Sequence, residues 1–219
     1  MQIDKTMLQI SDYVFEQFAS YSEINLSLEL IAVFFGLISV WFAKNNNVLV
    51  YPTGIISTLI FVYLLFKENL LGDMLINGYY FIMSIYGWYI WSKKNGEETI
   101  YKISYLNSSE KSLSYLLFII SMAFVIMVYL IGNGVLSLIA FIDSLTTAVF
   151  FVGMWMMAKR KIENWFLWII GDLISIPLYF YKGMLFTSIQ YLIFTIIAFY
   201  GLQSWRKMYS INLNKPIND

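Results

Sequence analysis

The chain has 219 residues, of which 59% are hydrophobic and only 13% charged, with 14 Lys and Arg against 14 Asp and Glu. A soluble domain carries about twice that share of charge, and zero net charge leaves nothing to attract nucleic acid. Without His or Cys, imidazole catalysis, thiolate nucleophiles, disulfides and most zinc sites are excluded. With no phosphate loop and no dinucleotide fingerprint either, the sequence calls for no cofactor, no metal and no catalytic residue. Aromatic residues make up 19% of the chain, including 17 Tyr and 7 Trp, a share suited to repeated membrane–water crossings.

The first 25 residues hold Asp4, Asp12, Glu16 and Glu23 against a single Lys5, which is not the pattern of a cleavable signal. Ile3, Met7, Ile10, Val14, Phe18 and Tyr21 recur at helical spacing and predict an amphipathic helix lying on the membrane surface. About 20 apolar residues cross the hydrocarbon layer as a helix. Spans of roughly that length are expected at 27–43, 48–66, 70–91, 113–132, 135–157, 165–181 and 184–204. Only the connection from Ser92 to Lys111 is long and polar.

Seven spans put Lys5, Lys67 and Lys182 on one side of the membrane. The other side carries Lys44, Lys93, Lys94, Lys102, Lys111, Lys159, Arg160, Lys161, Arg206, Lys207 and Lys215. The positive-inside rule makes this basic side cytoplasmic, with the N-terminus outside and the C-terminus inside. The expected location is a bacterial-type inner (plasma) membrane.

A shift of 115 residues places Ala43-Lys44 on Ala158-Lys159 and Lys67 on Lys182. With one residue skipped, Tyr86-Gly87 falls on Tyr200-Gly201, Trp91 on Trp205 and Lys93 on Lys207. Two three-helix units joined directly would face opposite ways, and the single span 113–132 restores a common direction. The expected fold is thus an all-α integral membrane protein, seven transmembrane helices in a 3+1+3 parallel repeat. It is similar to the SWEET-class sugar transporters, whose sites lie near the midplane between repeats. The expected units are 1–25 (amphipathic segment), 26–91 (first repeat), 92–134 (cytoplasmic loop and linker helix), 135–207 (second repeat) and 208–219 (tail).

A carboxylate at the centre of a membrane helix costs about 2.5–3.5 kcal/mol on insertion scales. Glu29 and Asp73 stand near span ends, Asp143 lies within span five, and Asp172 stands near the middle of span six. Trp165, Trp168, Asp172, Ser175 and Tyr179 share one helical face. Two indole faces beside a buried anion suit a flat, positively charged ligand. Asp73, Asn77, Tyr80 and Ser84 form a second polar face on span three, and Gln190 stands at the matching depth of span seven. The candidate binding residues are therefore Trp165, Trp168, Asp172, Asn77, Tyr80, Ser84, Gln190 and Asp73. Asp143, Thr146 and Thr147 fit a packing or gating role equally well.

At these residues the chain resembles the Pnu vitamin transporter family, of the nicotinamide riboside type. The stretch from Asn77 through Tyr79-Tyr80 and Tyr86-Gly87-Trp88 to Trp91 looks like that family's third span. The stretch from Glu163 through Trp165, Trp168 and Asp172 to Gly183 is similar to its W-x-x-W-x-x-x-[N/D] motif. The likeness covers residues 27–207. It implies facilitated diffusion of a vitamin or its nucleoside, with no coupled ion or ATP, made irreversible when a cytoplasmic kinase phosphorylates the substrate. It also implies ligand contact by Trp165, Trp168, Asp172 and the span-three amide Asn77. Family carriers of nicotinamide riboside often have Asn where this chain has Asp172, and Gln where it has Asn77. An acid suits any cationic ring. Nicotinamide riboside is the expected substrate and thiamine the alternative, while the resemblance leaves a homo-oligomer open.

Two other classes fit less well. A membrane enzyme would have only carboxylate chemistry to work with, and no motif ties the intramembrane acids together. A vitamin sensor would need a docking surface, for which only the Ser92–Lys111 loop offers room.

Overall fold

A computed structural model describes residues 23–67, 71–95, 98–181 and 185–213. The amphipathic segment expected over 1–25 lies outside them, save its last three residues, which already belong to the first helix. Seven helices follow: α1 Glu23–Lys44, α2 Val50–Lys67, α3 Leu71–Ser92, α4 Ser108–Asn133, α5 Leu138–Ala158, α6 Asn164–Tyr181 and α7 Leu185–Leu213. Between α3 and α4 lies a small antiparallel pair, β1 Lys94–Asn95 and β2 Glu98–Thr99. α1, α2, α4 and α5 are long and apolar enough to cross a membrane by length and composition alone. The other three carry most of the polar and ring-bearing candidate residues, which lowers their hydropathy for a reason unrelated to length.

Local chemistry explains where the helices differ from expectation. α4 starts five residues before 113 because Asn107 and Glu110 form a capping box. The Asn107 side chain accepts from the Glu110 amide at 2.8 Å, and the Glu110 carboxylate accepts from the Asn107 amide at 3.0 Å. Such reciprocal capping satisfies two orphan donors and lets a polar turn join an apolar helix. The other end closes at Gly134, whose φ of 71° is left-handed and whose N–H reaches the Leu130 carbonyl, a turn that glycine adopts at no steric cost. α7 continues through Leu213, past the boundary expected at 207.

Six helices close a ring in the order α1, α2, α3, α5, α6, α7 and back to α1. α4 stands outside it, packed on α5, with most of its apolar side chains exposed. An apolar outer face without a protein partner is what a lipid-facing helix presents.

The turns after α1 and α5 have the same construction. Asn45, Asn46 and Asn47 donate to the carbonyls of Trp41, Ala43 and Phe42, and Lys159, Arg160 and Lys161 donate to those of Trp155, Met157 and Met156. Each bond recurs 114 positions later, and both turns pivot on a left-handed non-glycine residue, Asn46 at φ 52° and Arg160 at φ 54°. The register of these turns therefore differs by one residue from the 115-residue shift read off Ala43-Lys44.

Candidate functional site

The end of the ring bearing these turns, the basic end, is filled by a buried aromatic cluster. Tyr51 meets Trp91 edge-on at 5.1 Å, Trp91 meets Trp205 at 5.9 Å, and Trp165 meets Trp205 edge-on at 5.5 Å. Two glycines make room for it: a Cβ on Gly87 would stand 2.2 Å from the Tyr51 ring, and one on Gly201 2.6 Å from the Trp165 ring. The guanidinium of Arg160 lies 4.2 Å over Trp91 and donates to the carbonyl of Tyr101 at 2.5 Å. Burial pushes Arg160 down to about 10, partly offset by Tyr51, so it stays charged at neutral pH.

The segment after the hairpin is stapled across this end. Ser104 donates its amide to the Arg160 carbonyl and accepts from the Ile162 amide. The Lys161 ammonium reaches the Ser104 hydroxyl at 3.0 Å and the Glu110 carboxylate at 2.8 Å. Burial alone would raise Glu110, but the hydrogen bonds from Lys161 and the Asn107 amide win and hold it below its ordinary value.

Above that floor the ring encloses a cavity of about 570 Å³, within the range of small-molecule sites. Of the eight candidate residues, Trp165, Trp168, Asp172, Asn77, Tyr80, Ser84 and Gln190 all line it. Asp73 belongs to α3, but its side chain lies outside the described residues. Three helices, α3, α6 and α7, therefore converge these groups on one space. Asp172 is 2% exposed and Ser175, one turn away, is fully buried.

The wall also holds Phe150, Tyr191 and Tyr51, which do not stand out in the sequence. Trp168, Phe150, Tyr191 and Tyr179 form a column of stacked rings with centroids 5.4, 5.9 and 5.1 Å apart. Phe150 is its centrepiece and is seated by Gly171, where a Cβ would stand 2.3 Å from the ring. Nothing in the apolar run around Phe150 marks it as different from a lipid-facing Phe; the only hint is the small residue Gly171 on the facing helix. Tyr51 on the floor and Glu29 on α1 line the cavity as well. Glu29, Asp143 and Asp172 are its charged residues, and no Lys or Arg faces it among the described residues. Asp143 accepts a hydrogen bond from the hydroxyl of Tyr129 on α4. Among the described residues no group of three His, Cys, Asp or Glu could hold a metal ion.

Helices ringing a cavity that sets aromatic faces and carboxylates inside apolar spans define a multi-pass membrane carrier of a small molecule. The chain belongs to the nicotinamide mononucleotide transporter family, whose model matches residues 26–207. It is 28% identical to the nicotinamide riboside transporter PnuC of Escherichia coli, over 81% of this chain and 84% of that one. It is 23% identical to the riboflavin/roseoflavin transporter RibM of Streptomyces davaonensis, over 87% and 89% of the two chains. The crystal structure of the vitamin B3 transporter PnuC shares the fold at a TM-score of 0.66 and 20% identity, covering 94% of this chain and 90% of that one.

Proposed function

We propose that this chain carries nicotinamide riboside across a bacterial inner membrane by facilitated diffusion, with a cytoplasmic kinase trapping the product as its phosphate. The observation that carries this reading is Asp172, a carboxylate 2% exposed on the helix that presents Trp168 to the stacked column. A pyridinium ring is flat and cationic, so stacking and charge pairing both favour it there. The family is described by a mononucleotide, yet among the described residues the charged groups a phosphate would meet in this wall are all carboxylates. The uncharged ribose of the nucleoside fits such a cavity better. Thiamine, also a flat cation, is the second reading, supported by the same carboxylate.

All seven helices cross the membrane in this reading, as a 3+1+3 parallel repeat with α4 as the linker, the N-terminus outside and the C-terminus inside. The 114-residue recurrence of the turn hydrogen bonds and the matched placement of Trp91 and Trp205 support the repeat. The eleven-to-three division of Lys and Arg supports the orientation. Liposomes containing only this chain should equilibrate labelled nicotinamide riboside with no ATP or ion gradient outside. A nicotinamide riboside kinase with ATP enclosed should drive accumulation past equilibrium. No saturable flux into such liposomes contradicts the proposal.

A further inference from the structure

Asp143 has two relationships that a packing residue does not need together. It lines the cavity, and its carboxylate accepts from Tyr129, a residue of the one described helix that stands outside the ring. A hydrogen bond that merely stapled α4 to α5 could lie anywhere on their contact and could use Ser, Thr or Asn without a charge. A carboxylate in a span is costly to insert, and here it faces a cavity whose wall holds no Lys or Arg among the described residues.

Depth adds to this. Asp143 stands 15 residues from the basic end of α5 and Asp172 eight residues from that end of α6. At 1.5 Å per residue their separation along the axis is on the order of 10 Å. Tyr191 lies within electrostatic reach of both, and its ring belongs to the stacked column. A cation moving down that column leaves one carboxylate as it approaches the other.

We propose that Asp143 is a second specificity-determining residue of the carrier, an outer anionic station that receives the cationic ring before Asp172 does. Tyr129 is the positioning residue that holds its carboxylate toward the path. The linker helix thus contributes to selectivity without touching the ligand. This deepens the nicotinamide riboside reading and rests on it.

The probe pair is nicotinamide riboside and its reduced dihydropyridine form, which has nearly the same shape and no charge on the ring. Uptake into liposomes is measured for wild type, Asp143→Asn, Asp143→Glu and Tyr129→Phe. At about 10 Å and an effective dielectric near 20, loss of the carboxylate should raise KM for the cation roughly tenfold. KM for the neutral form should stay unchanged in every variant. Tyr129→Phe should move KM for the cation in the same direction by a smaller factor, and Asp143→Glu should restore most of the discrimination. Equal effects on both probes would reduce Asp143 to a packing role, and no effect on either would remove it from the path; both results overturn the inference while leaving the substrate reading intact. Wild type that transports neither probe overturns the substrate reading and the inference together.

Discussion

The indoles of Trp91 and Trp205 sit 5.9 Å apart at the floor of the cavity, each tied to a carbonyl at the end of a helix in the other half of the chain. Trp91 Nε1 donates to the Ala158 carbonyl at 3.1 Å, and Trp205 Nε1 donates to the Ala43 carbonyl at 2.9 Å. The two carbonyls belong to the last turns of α1 and α5, where a helix leaves them without an intrahelical partner. Each half therefore completes the other's helix end, and this contact lies within the buried aromatic cluster that fills the basic end.

Removing the Trp91 N–H while keeping an aromatic ring takes the indole partner from the buried Ala158 carbonyl, whereas removing that of Trp205 leaves the Ala43 carbonyl with the Asn46 amide. Trp91→Phe should destabilise the protein by about 1–3 kcal/mol and Trp205→Phe by about 0.5–1.5 kcal/mol, the smaller cost of one lost hydrogen bond, read as a lowered Tm in detergent. The double variant should lose less or more than the sum, because the two rings touch. Because the chain has no Cys, Met157→Cys on the cavity wall gives a clean reporter. Its labelling from the basic side should rise when either indole N–H is removed.

Gly171→Ala should force Phe150 out of the column and cut uptake severalfold, because the added Cβ would stand 2.3 Å from its ring. Gly78→Ala is the control: nothing lies within 4 Å of that Cβ. Alanine there should preserve uptake and raise Tm slightly, by the 0.5–1 kcal/mol that helical glycine costs.

The legibility of the site follows from these neighbours. Trp165, Trp168 and Asp172 stood out in the sequence because a charge and two indoles are conspicuous in an apolar span, and the cavity gathers them with Asn77, Tyr80, Ser84 and Gln190. Phe150 did not stand out, since its role depends on the facing Gly171 and not on its own chemistry. The internal match was legible at Trp91 and Trp205, but it was aligned one residue off at the turns. There the match lies in backbone hydrogen bonds at Asn46 and Arg160, which share no side-chain chemistry. Asp143 was seen as polar, while its tie to Tyr129 across two helices carries no sequence signal.

The Glu110–Lys161 pair should give a small pH-dependent stability. The folded carboxyl titrates below its ordinary value of 4.5, so its contribution is present above that value and is lost as pH falls through the lowered one. Glu110→Gln should lower Tm at pH 7 and have no effect at acid pH low enough to protonate the wild-type carboxyl. The shift should be small, since the pair is partly exposed to water and screened by salt.

The most direct measurement is calorimetric titration of the purified protein with nicotinamide riboside, thiamine and riboflavin, for wild type and Asp172→Asn. The account predicts saturable binding of nicotinamide riboside to wild type, with affinity reduced tenfold or more in Asp172→Asn at unchanged Tm. Binding of neutral riboflavin in preference to either cation, or equal affinity of the two proteins for nicotinamide riboside, would contradict it.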